Sequence, residues 1–430
     1  MIHDRRAVLQ GMAAAGLLAG GATGARAQAL RVRKPVSSLR DDDPDIVALR
    51  RAIPIMRQSG AWDAQIAIHA DMGHRHHSSW RFLPWHRLQL AWFERHVAAI
   101  SGRADFALPF WDWDDDRIPD LFLNDPAFRV PGREAQPGDT ITRFLTQNDL
   151  WLNGRLTDDF ATFFGRPRGA RDATDGNLGR RYSSGSAEWG GHNLIHGFVG
   201  GDMGRLDRSP NDPIFWMHHA NIDRIWTLWR DKHGGQVFPK AWRTESLGGF
   251  LDPGGRPVPP VLAQTTVDTA TLGYVYKFDP TPPIVFAAAP GPPVIRRKSY
   301  SWAMQRMGPT SAFVDISPAL ARGKAEAATG YLEVMPDPHA ASMVRFTARG
   351  KSDGETVFKD AITLVPMGHS MGSQRYRIQL ENVWRGRDPG GIRLEIEAVP
   401  LVGRATSDMP TTLVDFFLDA DLAFTAEDQG

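Results

Sequence analysis

The stretch Gly191–Arg230 reads GHNLIHGFVGGDMGRLDRSPNDPIFWMHHANIDRIWTLWR, and the fold follows from it. It opens with His192 and His196, an i, i+4 pair. Four residues on a helix advance about 400°, so both imidazoles share one face, one turn apart. A loop rich in Gly, Asp and Arg follows and ends at Asn211-Asp212-Pro213. Asp212 suits an N-cap, and Pro213 suits the first position of a second helix. That helix carries His218 and His219 in its first turns, and one of them completes a three-imidazole set. An H-x-x-x-H pair alone often arises by chance. The third His on a capped second helix is what makes this a metal site, and neutral imidazole suits Zn, Cu, Fe or Ni.

Working upstream, Ala70–Ile100 is a second His-rich region, ADMGHRHHSSWRFLPWHRLQLAWFERHVAAI. The segment before it, Trp62–His69, is apolar at helical spacing and ends on His69. An earlier helical pattern begins near Pro44, and Pro54 is placed to kink it. Gly73 and the His/Ser cluster predict a loop, and Pro84 sits near the start of a long helix bearing His86. This region therefore offers His69 and His86 on helices, with His74, His76 or His77 between them.

Two sets of three His, carried mostly on helices, predict a paired metal site between the helices of a bundle. Neither set contains a carboxylate, which argues against Mg or Ca. The chain has no Cys, so thiolate ligands, disulfides and Cys-held Fe–S clusters are excluded. Zinc and non-haem iron remain, but all-imidazole ligation favours copper, which also tops the divalent affinity order.

The rest of the chain sets the context. Its 430 residues are 42% hydrophobic and 23% charged, with net charge +1, enough for a large core and two domains. Near-zero charge gives no reason to expect nucleic acid or an anionic membrane as partner. Fourteen Trp and 22 Phe are enough to wall an aromatic pocket as well as fill cores. Arg5-Arg6, a mild apolar run over Ala13–Ala22 and Ala25-Arg26-Ala27 predict a cleaved export signal over residues 1–27. The paired Arg favours a twin-arginine signal over an ordinary secretory leader, with a periplasmic or secreted destination. No apolar run is long enough to span a bilayer. The acidic run Asp112, Asp114, Asp115 and Asp116, which closes LPFWDWDDD, fits a solvated or Arg-paired turn.

Residues Asp279–Val294, DPTPPIVFAAAPGPPV, predict an interdomain linker, with 281–294 its core. Beyond it the period changes. Tyr331–Val334, Met343–Ala348, Tyr376–Glu381, Ile392–Val399 and Leu413–Leu418 are short alternating runs, with turns at Gly350–Gly354 and Asp388–Gly391. That pattern predicts an antiparallel β-sandwich or barrel. The expected fold class is multidomain α+β. A mainly helical domain over 28–280 holds the metals in a four-helix bundle, and a β-sandwich follows over 295–430.

Several of these motifs carry a resemblance. HSSWRFLPWHR with the following WFER resembles the copper A signature of the tyrosinase, catechol oxidase and haemocyanin family. HNLIH with SPNDPIFWMHHANIDRIW resembles its copper B signature, and LPFWDWD is similar to the turn after the copper A helix. LGYVYKFDP at Leu272–Pro280 resembles the tyrosine motif that closes the catalytic domain of plant-type polyphenol oxidases. The strong matches cover roughly residues 62–116 and 188–230.

The resemblance implies a binuclear type 3 centre of two copper ions, with O2 as co-substrate. It assigns His69, His77 and His86 to the first copper, because the family places the second ligand nine residues before the His of P-W-H-R. It assigns His192, His196 and His219 to the second, with His218 a packed neighbour. His74 and His76 then become loop residues, and His96, His233, His339 and His369 carry no motif. In the family a Glu and an Asn at the places of Glu188 and Asn193 hold a water that takes the proton of a monophenol. The plainer use of Glu188 is to satisfy backbone amides at a helix start. Leu206 stands where some relatives carry a bulky aromatic, and Gly197 is small, so both imply an open substrate entrance.

There are two departures from the family pattern. The His69–His77 spacing is eight, short for the family, and without Cys no thioether bond to a copper A His can form. His77 is therefore expected to be oriented by packing or by a hydrogen bond from a neighbouring group. The implied activity is ortho-hydroxylation of small monophenols and oxidation of o-diphenols to o-quinones. An o-aminophenol oxidase and a haemocyanin-like oxygen carrier use the same kind of site. The C-terminal domain loosely resembles the one that covers the active site in latent relatives.

Overall fold

The computed structural model describes residues 30–113, 117–141, 156, 158–167, 184–233, 238–277, 296–316, 324–338, 340–351, 353–364, 373–380, 391–400 and 410–424. The expected export signal, the linker, Asp114–Asp116, His339 and His369 lie outside these residues.

Helix α1 (Pro44–Ser59) starts where the Asp43 side chain accepts the Asp45 amide at 2.9 Å and stops at Gly60, whose φ is +78°. Pro54 lies inside this helix and does not end it. Helix α2 (Ala61–Ala70) follows at once, then a tight loop, then α3 (Phe82–Ser101). Helix α3 buries 15 of its 20 residues, so it is wrapped on most sides rather than amphipathic. Short helices α4 (Asp120–Asn124) and α5 (Phe160–Phe164) lie in the mixed region. A π-turn over Glu188–His192 then runs into α6 (Asn193–Val199). Asp212 accepts the Ile214 amide at 3.0 Å and caps α7 (Ile214–His233), one residue later than the sequence predicts. Helix α8 (Lys240–Arg243) is short.

Two buried cores result. The helical core joins Trp62, Trp85, Phe93, Phe215, Trp216, Trp226 and Trp229 among many others. At its edge strand β1 (Arg31–Arg33) pairs in parallel with β4 (Tyr274–Tyr276), while β2 (Ser246–Leu247) pairs with β3 (Val261–Leu262).

The second core lies between two antiparallel sheets. One has the order β10-β9-β12-β7-β6, the other β11-β8-β13-β5. The five runs read from alternation are β8 (Lys324–Met335), β9 (Ser342–Gly350), β11 (Gln374–Gln379), β12 (Ile392–Pro400) and β13 (Thr412–Phe424). The sequence missed β5 (Arg296–Ala303), β6 (Gln305–Arg306), β7 (Ser311–Ile316) and β10 (Thr356–Leu364). In β12 buried and open positions alternate strictly at first, the mark of a strand with one face on a core. Gly330 of β8 is required by packing, since a Cβ there would come within 2.9 Å of the Phe416 ring. The sandwich expected from the sequence is present.

The two cores interlock. Met343 of β9 belongs to the helical core, with Ala361 and Val399 packed against it. Trp189, from the π-turn, is fully buried in the core of the sandwich. Arg377 of β11 pairs with Asp159 at the start of α5, at 3.0 Å. Among the described residues no helix is long and apolar enough to cross a membrane.

Candidate metal centre

Eight buried imidazoles meet between α2, the following loop, α3, the π-turn with α6, and α7. They form two groups, His69, His76, His77 and His86, and His192, His196, His218 and His219. Within each group one nitrogen from every residue lies within 4.8 Å of the others. The groups abut, because the His86 and His219 rings stack at 4.4 Å between centroids.

Local backbone chemistry aims these rings. In the loop, Arg75 and Ser78 have φ of 53° and 52°, the left-handed region. A non-glycine residue there costs on the order of 1–3 kcal/mol, so surrounding contacts must hold it. The Ser79 hydroxyl does so by donating to the Arg75 carbonyl at 2.6 Å. The two residues between these turns are His76 and His77, both buried. On the other side, Gly190 breaks helical geometry at φ −80°, ψ −122°, within the π-turn that delivers His192.

Hydrogen bonds fix the tautomers. His86 Nδ1 donates to the Phe82 carbonyl at 2.8 Å, and His196 Nδ1 to the Met203 carbonyl at 2.6 Å. His192 Nδ1 faces only acceptors, the Asn193 Oδ1 at 2.9 Å and the Glu188 carbonyl at 3.2 Å. His77 Nδ1 faces the Glu188 carboxylate at 3.1 Å. In each of these rings Nδ1 is taken by an acceptor, so Nε2 is the nitrogen left to face the cluster. Nε2 atoms converge across the cluster: those of His77 and His69 are 3.1 Å apart, and those of His192 and His196 each lie 3.3 Å from that of His219. Burial, reinforced by neighbouring imidazoles, pushes His69, His86, His192 and His219 well below the ordinary histidine value. His196 falls to about 3, again through burial. Several imidazole nitrogens brought within 3.1–3.3 Å of one another in a buried site form a donor set that a cation would satisfy. With no thiolate and no carboxylate in either group, the donor set fits copper.

Glu188 is held on several sides. Its carboxylate accepts the Ser78 amide at 2.8 Å and the Ser184 hydroxyl at 2.7 Å, besides facing His77. It thus supplies the orienting hydrogen bond that His77 needs in the absence of a thioether. Its amide partner comes from a loop 110 residues upstream, not from its own helix. Asn193 is engaged at both ends, by His192 and by the Thr363 carbonyl of β10 at 2.8 Å. Leu206 is 9% exposed and Gly197 is buried, so neither lies on open surface in this conformation. His218 stacks on Trp113 at 5.4 Å and on His192 at 5.3 Å. His96 and His233 face the carbonyls of Leu251 and Leu156, away from the cluster.

Sequence reasoning missed three features. His76 is no ordinary loop residue: it is fully buried, with its ring 3.9 Å from that of Trp85. Phe82 and Phe215 each touch both groups, Phe82 at 4.6 Å from His192 and Phe215 at 5.0 Å from His69. The available signal was a shared spacing: Phe82 stands four residues before His86, and Phe215 four before His219. Arg87 and Asp223 are the third feature. Asp223 of α7 accepts from Arg87 of α3, from Arg33 at 3.1 Å and from Tyr274 at 2.7 Å. Burial alone would raise the Asp223 carboxyl, but the two guanidiniums hold it below its usual value. This buried network clamps the helices that carry His86 and His219.

The fold and donor set define a binuclear metal protein with an imidazole-lined centre between four helices. The family model for the common central domain of tyrosinase matches residues 59–158 and 133–232. The tyrosinase of Streptomyces glaucescens is 30% identical over 263 residues, covering 52% of this chain and 91% of that protein. The chain belongs to the tyrosinase family of type 3 copper proteins, whose centre holds two copper ions and uses O2. Spinach chloroplastic polyphenol oxidase is 28% identical over 305 residues, 57% of this chain and 47% of that protein. The chain thus matches about half the length of the plant relative. Latent apple tyrosinase shares the fold, with 21% identity, a TM-score of 0.65 and coverage of 92% of this chain and 97% of that one.

Proposed function

We propose that the chain is a phenol oxidase that converts monophenols and o-diphenols to o-quinones. For a monophenol the balance is one phenol and one O2 giving one o-quinone and one water. Bound copper supplies the redox chemistry that couples phenol oxidation to O2 reduction. The protein holds the metals with His69, His77 and His86 on one side and His192, His196 and His219 on the other. Phe82 and Phe215 keep the centre apolar and exclude bulk water. Glu188 fixes His77, and with Asn193 it is the base that takes the monophenol proton through a water.

The observation that carries this reading is the Glu188 carboxylate 3.1 Å from His77 Nδ1, beside Asn193. An oxygen carrier has no need of a proton acceptor at its centre. The test is metal analysis with oxygen uptake on a monophenol, an o-diphenol and an o-aminophenol. Two copper ions per chain and uptake with both phenols are expected. Preference for the o-aminophenol would reassign the substrate, and reversible O2 binding without turnover would make the chain a carrier.

The C-terminal sandwich, in the same reading, keeps the enzyme latent. Thr363 occupies the Asn193 amide that would otherwise face a water or substrate. The division at 281–294 and export under a twin-arginine signal belong to this proposal too.

A further inference from the structure

We propose that Asp71, His74 and His76 form a copper-intake path that hands the ion from the surface to His69, His77 and His86. The proposal rests on the copper centre described above and concerns how it is filled. Three observations carry it. His76 is fully buried, and neither of its ring nitrogens has a hydrogen-bond partner. Leaving a buried donor unmade costs on the order of 1–3 kcal/mol, so this ring is held against a penalty. It lies 4.6 Å from the His77 ring, 5.1 Å from His69 and 5.4 Å from His86, centroid to centroid. Only three imidazoles are needed there, so His76 is a fourth donor with no permanent task.

Outward from His76, the donors grade towards solvent. His74 is 6.1 Å away by ring centroid, and its side chain is 23% exposed. Its Nε2 lies 3.5 Å from the Asp71 carboxylate, which is 60% exposed. Both His74 and His76 lie against Trp85, at 5.7 and 3.9 Å. The seat of His74 is specific: a Cβ on Gly249 would stand 2.1 Å from its ring. A carboxylate and an imidazole at the surface attract a cation. Imidazoles spaced a few ångströms apart pass it inward by ligand exchange, one nitrogen binding before the last lets go.

The experiment follows transfer of Cu(I) from a coloured chelator complex to the full-length apo-protein, with final copper measured by atomic absorption. Wild type is expected to take up two copper ions in two phases. His74→Gln, which leaves the eight clustered imidazoles in place, should slow one phase at least tenfold yet leave two ions per chain. His76→Phe, which keeps the ring against Trp85, should do the same. The double variant should be no slower than His76→Phe alone, because the two residues act in series. Unchanged rates in both single variants would overturn the path. So would a His76→Phe protein that binds one ion while His74→Gln binds two, since His76 would then be a permanent ligand. A wild-type chain that takes up no copper would instead sink the copper centre itself.

Discussion

At the scale of single residues, Glu188 has two tasks that are separable by experiment. Glu188→Gln keeps the shape but removes the carboxylate charge. General-base roles contribute on the order of 10²–10⁴ in rate, so monophenol turnover should fall by about 10² or more, and diphenol turnover by only a few-fold. Copper content measured on the same samples separates the tasks, because loss of His77 orientation would lower it. Equal losses on both substrates with copper retained would remove the proton-accepting role. The imidazoles give a second test, in the apo-protein. His196 accepts a proton only near 3, whereas an unfolded His does so near 6.5. Between those values the unfolded chain binds more protons, so stability falls as pH falls, by about 1.4 kcal/mol per unit for each such imidazole. Above the unfolded value the contribution is full and flat. Urea midpoints of the apo-protein should therefore hold above pH ~7 and drop steeply below pH ~6.5. A flat profile down to pH ~5 would contradict the burial of neutral imidazoles.

At the scale of elements, the π-turn Glu188–His192 is the piece on which both halves of the chain pull. Glu188 reaches back to the His77 loop, His192 faces the metal centre, and Trp189 sits in the sandwich core. Trp189→Ala should cost about 3–5 kcal/mol, the usual range for a large buried aromatic. Because the neighbouring residue orients His77, the same variant should also weaken copper retention against a chelator. A destabilised protein that keeps both copper ions as tightly as wild type would show that the turn does not transmit strain. The helices were legible in advance because their periodicity, caps and His spacing are local. Strand β10, TVFKDAITL, was not: Lys359-Asp360 interrupts the alternation that marks a strand. Yet β10 carries Thr363, the residue that reaches Asn193.

At the scale of the whole molecule, the sandwich meets the helical domain through three separate contacts, Thr363 with Asn193, Arg377 with Asp159, and the buried Trp189. Cutting within 279–294 and separating the fragments should raise phenol turnover several-fold, followed as o-quinone formation. Unchanged turnover after clean cleavage and separation would count against latency. Acid should loosen the same contact. Burial raises the Asp159 carboxyl, but Arg377 outweighs it and holds it low, so this ion pair is present above the usual carboxylate range and is lost as pH falls through the depressed value.

By itself the sequence determined the donor type, since absent Cys and paired His sets leave imidazole groups between helices, with copper favoured over zinc and iron. It also placed most of the clustered imidazoles on helices, because i, i+4 spacing and capping are properties of neighbours in the chain. Only the tertiary structure decided that Glu188 orients His77, that His76 lies inside the cluster, and that Trp189 belongs to the other core. The physical reason is distance along the chain. Glu188 and His77 are 111 residues apart, and Asn193 and Thr363 are 170 apart. Periodicity reports which face of an element is buried, but not which remote element covers it.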